Sequence, residues 1–172
     1  EFLAEILSRD TRLVLAALDG LIEGQKGRPL IPTIDTKALF ARLNATDPAR
    51  GGMVIKYRAR QLGAMWGDAS AIELTLSVVN DARAPVAERI QAVQTARGFK
   101  NDAAREAMLT LLSGEIPETL AVEAIRALGE LGGDNVPDRL LTRWSRLSTA
   151  ARSATAEVLA SRTQWAAALL SA

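Results

Sequence analysis

The sequence predicts an all-α protein built from about five repeated pairs of helices. It is rich in Ala, Leu, Arg and Glu and only 4% aromatic, which is typical of helical proteins, and it shows no sustained period-two alternation of the kind that marks strands. Apolar residues instead recur at helical spacing, and signals for helix starts recur every 34 residues. With 48% hydrophobic residues in a chain of 172, the repeats can share one continuous core.

The helix-start signals define the repeat. Asp47, Asp81, Glu115 and Thr149 follow one another at intervals of 34 residues, and each lies just before a segment with an apolar stripe. Asp10, which lies 37 residues before Asp47, precedes another such segment. We interpret these segments as the second helices of five pairs within a single repeat domain, residues 1–172. The boundaries between repeats are expected near residues 34, 68, 101 and 134.

Apolar residues at equivalent positions of the second helices are predicted to form the core. The aligned sets are Ile55 with Val86; Ala59, Ile90 and Val122; Leu62, Val93 and Ile125; and Met65, Ala96 and Leu128. The outermost second helices contribute Val14, Leu18 and Leu21, and Ala151, Ala154 and Val158. The first helices of the pairs contribute Leu39, Phe40 and Leu43; Ile72, Leu76 and Val79; Ala104, Met108 and Leu111; and Leu140.

The segment from Gly114 to Gly132 has the clearest helix boundaries. Pro117 suits a first helical turn, where its missing N–H costs nothing, and the carboxylates of Glu115 and Glu118 are favoured at the positive end of a helix dipole. Gly132 and the glycine after it tolerate the backbone conformation that ends many helices. Tyr57, Trp66 and Trp144 lie at helical spacing, and we interpret them as core residues.

Two other features concern the loops and the ends of the chain. The run GQKGRPLIPT, residues 24–33, combines Gly and Pro without a helical period and predicts a longer loop, either an ordinary surface insertion or a binding loop. Apolar residues near the ends, where a free-standing repeat array has polar caps, lead us to expect flanking repeats or domains. They are Phe2, Leu3, Ile6, Leu7, Trp165, Leu169 and Leu170.

Composition excludes several kinds of chemistry. The chain has neither Cys nor His, so it lacks thiolate ligands, thiol nucleophiles and the most common metal ligand and general base. The carboxylate pairs Glu115 with Glu118 and Asp134 with Asp138 lie at predicted helix starts, where capping and the helix dipole already explain them. We therefore expect no catalytic, cofactor-binding or metal-binding residues in this segment. No apolar run is long enough for a transmembrane helix.

The repeat itself resembles a known family. Helix pairs of this length, with a proline or acidic residue opening the second helix and a core of the type A-I-R-A-L-G at Ala124–Gly129, resemble HEAT repeats. The resemblance covers nearly the whole chain and implies a right-handed α-α superhelix, a HEAT-like solenoid. Such proteins are scaffolds that bind other proteins.

A finer resemblance rests on ALDGLIEG at Ala17–Gly24 and YRARQLG at Tyr57–Gly63. These runs are similar to the HEAT region of large bacterial membrane-bound dehydrogenase-type proteins. In that family the repeats lie between a sugar-dehydrogenase-like propeller and a cytochrome c module. The resemblance implies a spacer role in a periplasmic or membrane-associated parent protein, with the chemistry in other modules. The haem-attaching C-x-x-C-H of that family is absent from this chain.

Exposed positions of the second helices supply a candidate partner-binding face. Its residues are Tyr57, Arg60, Gln61, Gln91, Glu123 and Arg126, with Glu88 beside them. The alternative is an ordinary solvated face with short-range ion pairs, because the signs of the charges alternate.

Nucleic acid would require a basic stripe on this face. Lys56, Arg58 and Arg60 form one cluster, which would extend only if Arg89 and Arg97 faced the same way. The net charge of +1 argues against nucleic acid as the main partner. We therefore predict a non-enzymatic scaffold that binds a protein or flanking domains of its own chain, with the dehydrogenase spacer and a nucleic-acid-binding solenoid as alternatives.

Overall fold

The computed structural model describes residues 10–25, 32–33, 36–45 and 52–170. Within these ranges every regular element is helical, which confirms the predicted all-α helical-repeat fold. The α-helices are α1 (Thr11–Gly24), α2 (Lys37–Asn44), α3 (Gly52–Met65), α4 (Ala69–Asn80), α5 (Val86–Ala96), α6 (Asp102–Leu111), α7 (Glu118–Leu131), α8 (Val136–Leu141), α9 (Thr149–Ala160) and α10 (Thr163–Leu170). Two 3₁₀ turns, Arg97–Phe99 and Trp144–Arg146, follow α5 and α8.

The chain forms two compact units, residues 1–73 and 74–172, and α4 runs across the division. Each unit has its own cluster of buried apolar side chains. The right-handed superhelix implied by the HEAT resemblance stays a prediction.

In the first unit, α1 and α2 both pack against α3. Its core includes Val14, Leu18, Leu43, Ile55 and Leu62, all at most 2% exposed. These residues include members of the predicted sets from three helices. The ring of Trp66 packs at the edge of this core, with its centroid 5.8 Å from that of Phe40.

In the second unit, α7 is the central helix. It packs against α5 and α9, which are the second helices predicted before and after it, and against α6. The predicted core residues Ile125 and Leu128 are fully buried, together with Leu120 and Ala124. The sequence repeat is clearest in α7, and α7 also packs against the largest number of helices in its unit.

The predicted helix-start signals act in three different ways. Asp10 is an N-cap as expected, because its carboxylate accepts from the N–H of Arg12 at 2.8 Å. Asp81 instead stabilises the turn before α5, accepting from the N–H of Arg83 at 2.9 Å. The helix that follows Glu115 begins at Glu118, after Pro117.

The last start signal is displaced by one residue, and another lies outside the described ranges. Thr149 is the first residue of α9, and the cap is Ser148, whose hydroxyl accepts from the N–H of Ala151 at 3.3 Å. Asp47 lies outside the described residues. The 34-residue spacing thus locates helix starts without identifying the capping residue itself.

Several positions predicted as core are less buried than expected. Val86 is 38% exposed, because the first residue of α5 lies where the chain enters the helix. Ile90 and Val122 are half-buried at the margin of the core of the second unit. The half-buried members of the other sets are Leu21, Leu39, Met65, Ile72 and Leu76.

The aromatic and terminal predictions have mixed outcomes. Tyr57 and Trp144 are half-buried and not core residues. Trp165 is only 4% exposed, so it does not form the uncovered apolar end that we expected, and the guanidinium of Arg162 lies over its ring at 4.5 Å. The other terminal apolar side chains, and residues 26–31 of the predicted loop, lie outside the described residues.

Candidate functional site

The structure brings half of the predicted partner-binding face together in the second unit. Gln91 on α5 donates to Gln94 at 3.2 Å, and Gln94 donates across to Glu123 on α7 at 3.4 Å. Arg126 lies 3.7 Å from the other oxygen of Glu123. We call these four residues the polar face. The groups of the polar face bond to one another. An ordinary solvated surface with short-range ion pairs therefore explains the polar face at least as well as a binding site does.

The other half of the predicted face lies on α3, in the first unit. The guanidinium of Arg60 lies over the ring of Tyr57, 5.8 Å from its centroid, and both side chains are half-buried, as is Gln61. These three residues form a local cluster of their own on α3.

The arginines that would have formed a basic stripe are engaged in other contacts. Arg89 is only 6% exposed, and its Nε–H donates to the carbonyl oxygen of Val79 at 3.1 Å. Arg97 pairs with Glu130 at 3.2 Å, and Arg58 pairs with Asp19 at 2.6 Å. The basic cluster of α3 therefore does not extend through Arg89, because its guanidinium is buried against the end of α4.

A groove of about 500 Å³ lies elsewhere in the second unit and was not predicted. It is bounded by the α6–α7 connection, the first turn of α7, the connection that leads to α9 and the first turn of α9. The residues that line it are Leu112, Ser113, Gly114, Glu115, Ile116, Glu118, Ala121, Arg143, Arg146, Leu147, Ser148 and Ala151. We call this surface the groove.

The floor of the groove is apolar. Leu112, Ala121 and Ala151 are buried, so they present only small patches at its base. Ile116 and Leu147 are half-buried and pack against the core from opposite connections. Apolar surface that is reachable from solvent but recessed between two walls is the usual basis of a binding cleft.

The two walls of the groove carry opposite charges. Glu115 and Glu118 are exposed on the side of α7, and Arg146 is exposed on the side that leads to α9. Arg143 reaches from that side to the other, where its Nη2 donates to the carbonyl oxygen of Ser113 at 2.9 Å. A smaller depression of about 130 Å³ shares Leu112 and Arg143 with the groove.

Hydrogen bonds hold the basic wall in place. Arg152 on α9 donates from Nε to the carbonyl oxygen of Trp144 and from Nη2 to that of Ser145, both at 2.9 Å. These bonds tie the 3₁₀ turn to α9, and the bond from Arg143 to Ser113 ties it to the α6–α7 connection. The groove is therefore built on a supported backbone, which lowers the conformational entropy lost when a ligand binds.

The sequence does not predict the groove because it forms where two connections and the first turns of two helices meet, and not on the face of a single helix. In the sequence, Glu115 and Glu118 are explained as residues of a helix start. The other such pair, Asp134 and Asp138, is exposed outside the groove. The available signal was Ile116 and Leu147, two apolar residues in short connections without a helical period. Nothing in a linear pattern indicates that these connections meet in space.

Within the described part of the chain, no group of three or more Asp or Glu residues is arranged to hold a metal ion. None of the described helices has the length and apolar character needed to cross a membrane. Comparisons with protein-family models, curated proteins and solved structures found no match.

Proposed function

We propose that this helical-repeat chain is a non-enzymatic protein-interaction module and that a partner binds in the groove of its second unit. The observation that supports this proposal is the combination, in one recess, of an apolar floor with charged walls. Protein partners gain affinity from apolar side chains in such recesses and gain specificity from the charges around them. The HEAT resemblance is consistent with a scaffold role.

The groove is a better candidate than the polar face. Glu123 accepts from Gln94 and pairs with Arg126, so a partner would have to replace bonds that already exist. A binding surface also needs an apolar centre that is desolvated on contact, and the polar face has none among its four residues. Ile116 and Leu147 give the groove such a centre.

Selection of peptides from a random displayed library tests the proposal. The whole chain is used as the target, and selection is repeated with Gly114→Trp, which places a large side chain in the groove. A Cβ at Gly114 meets nothing closer than the carbonyl oxygen of Leu111 at 3.9 Å, so this variant is expected to fold. Gly98→Trp is the matched control, because Gly98 has open space around it and lies outside the groove.

Peptides that bind the wild-type chain and Gly98→Trp but lose binding to Gly114→Trp would support the proposal. Circular dichroism spectra of the three proteins establish that they are equally helical. If no peptide is enriched, or if all enriched peptides bind Gly114→Trp as well as the wild type, the groove is not the binding site. A purely passive spacer, as in the dehydrogenase-type resemblance, would then be the better account.

A further inference from the structure

The charge distribution of the groove is asymmetric across its apolar floor. Two exposed carboxylates, Glu115 and Glu118, stand on one side, and the exposed guanidinium of Arg146 stands on the other. A ligand that crosses from one wall to the other meets first one sign of charge and then the opposite sign. Such an arrangement selects ligands by charge order as well as by apolar content.

The acidic side also presents unpaired main chain. Residues 115–117 belong to no helix, and Pro117 has φ −54° and ψ 142°, an extended conformation. The N–H groups of Glu115 and Ile116 donate to no main-chain carbonyl among the residues that the structure describes. An unpaired N–H in a connection without helical structure can donate to a main-chain carbonyl of an extended ligand, whereas a helical ligand has already used its main-chain groups.

The size of the apolar floor sets the number of anchoring side chains. The exposed part of the floor is supplied mainly by Ile116 and Leu147, since Leu112, Ala121 and Ala151 are at most 8% exposed. An amphipathic helix needs a longer apolar trough that accepts side chains from successive turns. The exposed apolar surface of Ile116 and Leu147 instead suits one large apolar side chain.

We infer that the groove binds an extended peptide segment in which one large apolar residue is flanked by a basic residue on one side and an acidic residue on the other. The apolar residue lies over Ile116 and Leu147. The basic residue faces Glu115 and Glu118, and the acidic residue faces Arg146. This inference rests on the proposed function and adds the chemical class of the partner to it.

Charge reversal on each wall tests the inference. The peptide selection is repeated with the double variant Glu115→Lys, Glu118→Lys and, separately, with Arg146→Glu. All three side chains are exposed, so the fold is expected to persist, which circular dichroism checks. The reversed acidic wall should select an acidic residue in place of the basic one, and Arg146→Glu should select a basic residue in place of the acidic one.

The same reversal is measured with single peptides by fluorescence anisotropy. A labelled peptide enriched on the wild type should bind each wall variant about tenfold more weakly, and its charge-reversed counterpart should recover that loss on the matching variant only. Arg126→Glu, on the polar face, is the control and should leave both peptides unaffected.

The outcomes separate the two proposals. Suppose that Gly114→Trp blocks the binding of the selected peptides, but that these peptides show no charge preference or the same preference on all variants. That result would overturn the inference while leaving the proposed function in place. A consensus with apolar residues at helical spacing would also overturn it. So would a dimer of the wild-type chain that Gly114→Trp abolishes, because the groove would then hold a second copy. Absence of any peptide sensitive to Gly114→Trp would overturn both proposals.

Discussion

Arginine side chains connect neighbouring elements by donating to main-chain carbonyl groups near helix ends. Arg89 bonds to Val79 at the end of α4, and Arg162 bonds to the carbonyl oxygen of Gly129 near the end of α7 at 2.7 Å. Arg143 bonds to Ser113, just after α6. The last carbonyl groups of a helix lack intrahelical partners, and a cation is favoured there by the helix dipole. These three arginines thus have a structural use that composition alone did not indicate.

The buried guanidinium of Arg89 gives the first prediction. Arg89→Ala removes a donor to Val79 and leaves unfilled space beside α4, so the free energy of unfolding should fall by about 2–4 kcal/mol. Urea unfolding monitored by circular dichroism measures this change. Arg83→Ala, at an exposed position in the preceding turn, should change it by no more than about 0.5 kcal/mol. Equal effects of the two substitutions would show that the bond to Val79 contributes nothing.

Gly133 gives the second prediction. Its φ of +120° is unfavourable for any residue with a side chain, and a Cβ there would lie 2.6 Å from Cδ of Arg105. Gly133→Ala should therefore lower the free energy of unfolding by about 1–3 kcal/mol, measured by urea titration. Gly98→Ala is the control, because Gly98 has no neighbour within 4 Å and its φ is not positive. Loss of stability in the control but not at Gly133 would contradict the account.

At the scale of elements, α7 holds the second unit together through one apolar stripe. Ile125→Asp places an unpaired carboxylate at a fully buried position of that stripe and should cost several kcal/mol, enough to unfold the packing around α7. Thermal unfolding followed by circular dichroism should show a large fall in Tm. Arg126→Gln, at the next residue on the exposed side, should leave Tm nearly unchanged. An unchanged Tm for Ile125→Asp would show that the stripe is not core.

The contact between α7 and α9 depends on a glycine. A Cβ at Gly129 would lie 3.0 Å from a methyl group of Val158, so Gly129→Leu should force the two helices apart and cost about 1–3 kcal/mol. Gly20→Leu is the matched control, because Gly20 also lies inside a helix but has open space around it. The free energy of unfolding of that control should stay the same or rise by up to about 1 kcal/mol. A stable Gly129→Leu protein would mean that α7 and α9 are not in close contact.

The sequence predicted the helices better than it predicted which residues they bury. The end of α7 at Gly132 was correct, because φ of +73° requires a residue such as glycine. The burial of Ile125 and Leu128 followed from their spacing. Periodicity failed at Val86 and at Arg89, where an apolar side chain is exposed and a charged one is buried. Burial there depends on how α5 meets α4, which no pattern within one helix determines.

At the scale of the whole molecule, two compact units each have a core of their own, and the functional proposal concerns the second. Of the candidate face predicted from the sequence, Gln91, Glu123 and Arg126 come together on α5 and α7, and Tyr57, Arg60 and Gln61 lie on α3. The groove could not be predicted, because it forms where the connection before α7 meets the connection before α9, and these two segments are far apart in the sequence. Its position follows from packing and not from any linear motif.

The amide NMR spectrum of the chain, titrated with a peptide enriched by selection, tests the location of the site most directly. The account predicts that shifts concentrate in residues 112–121 and 143–151, and that Gly114→Trp abolishes them while Gly98→Trp does not. Shifts confined to Gln91, Gln94, Glu123 and Arg126, with residues 112–116 and 143–148 unaffected, would contradict it and would place the partner on the polar face instead.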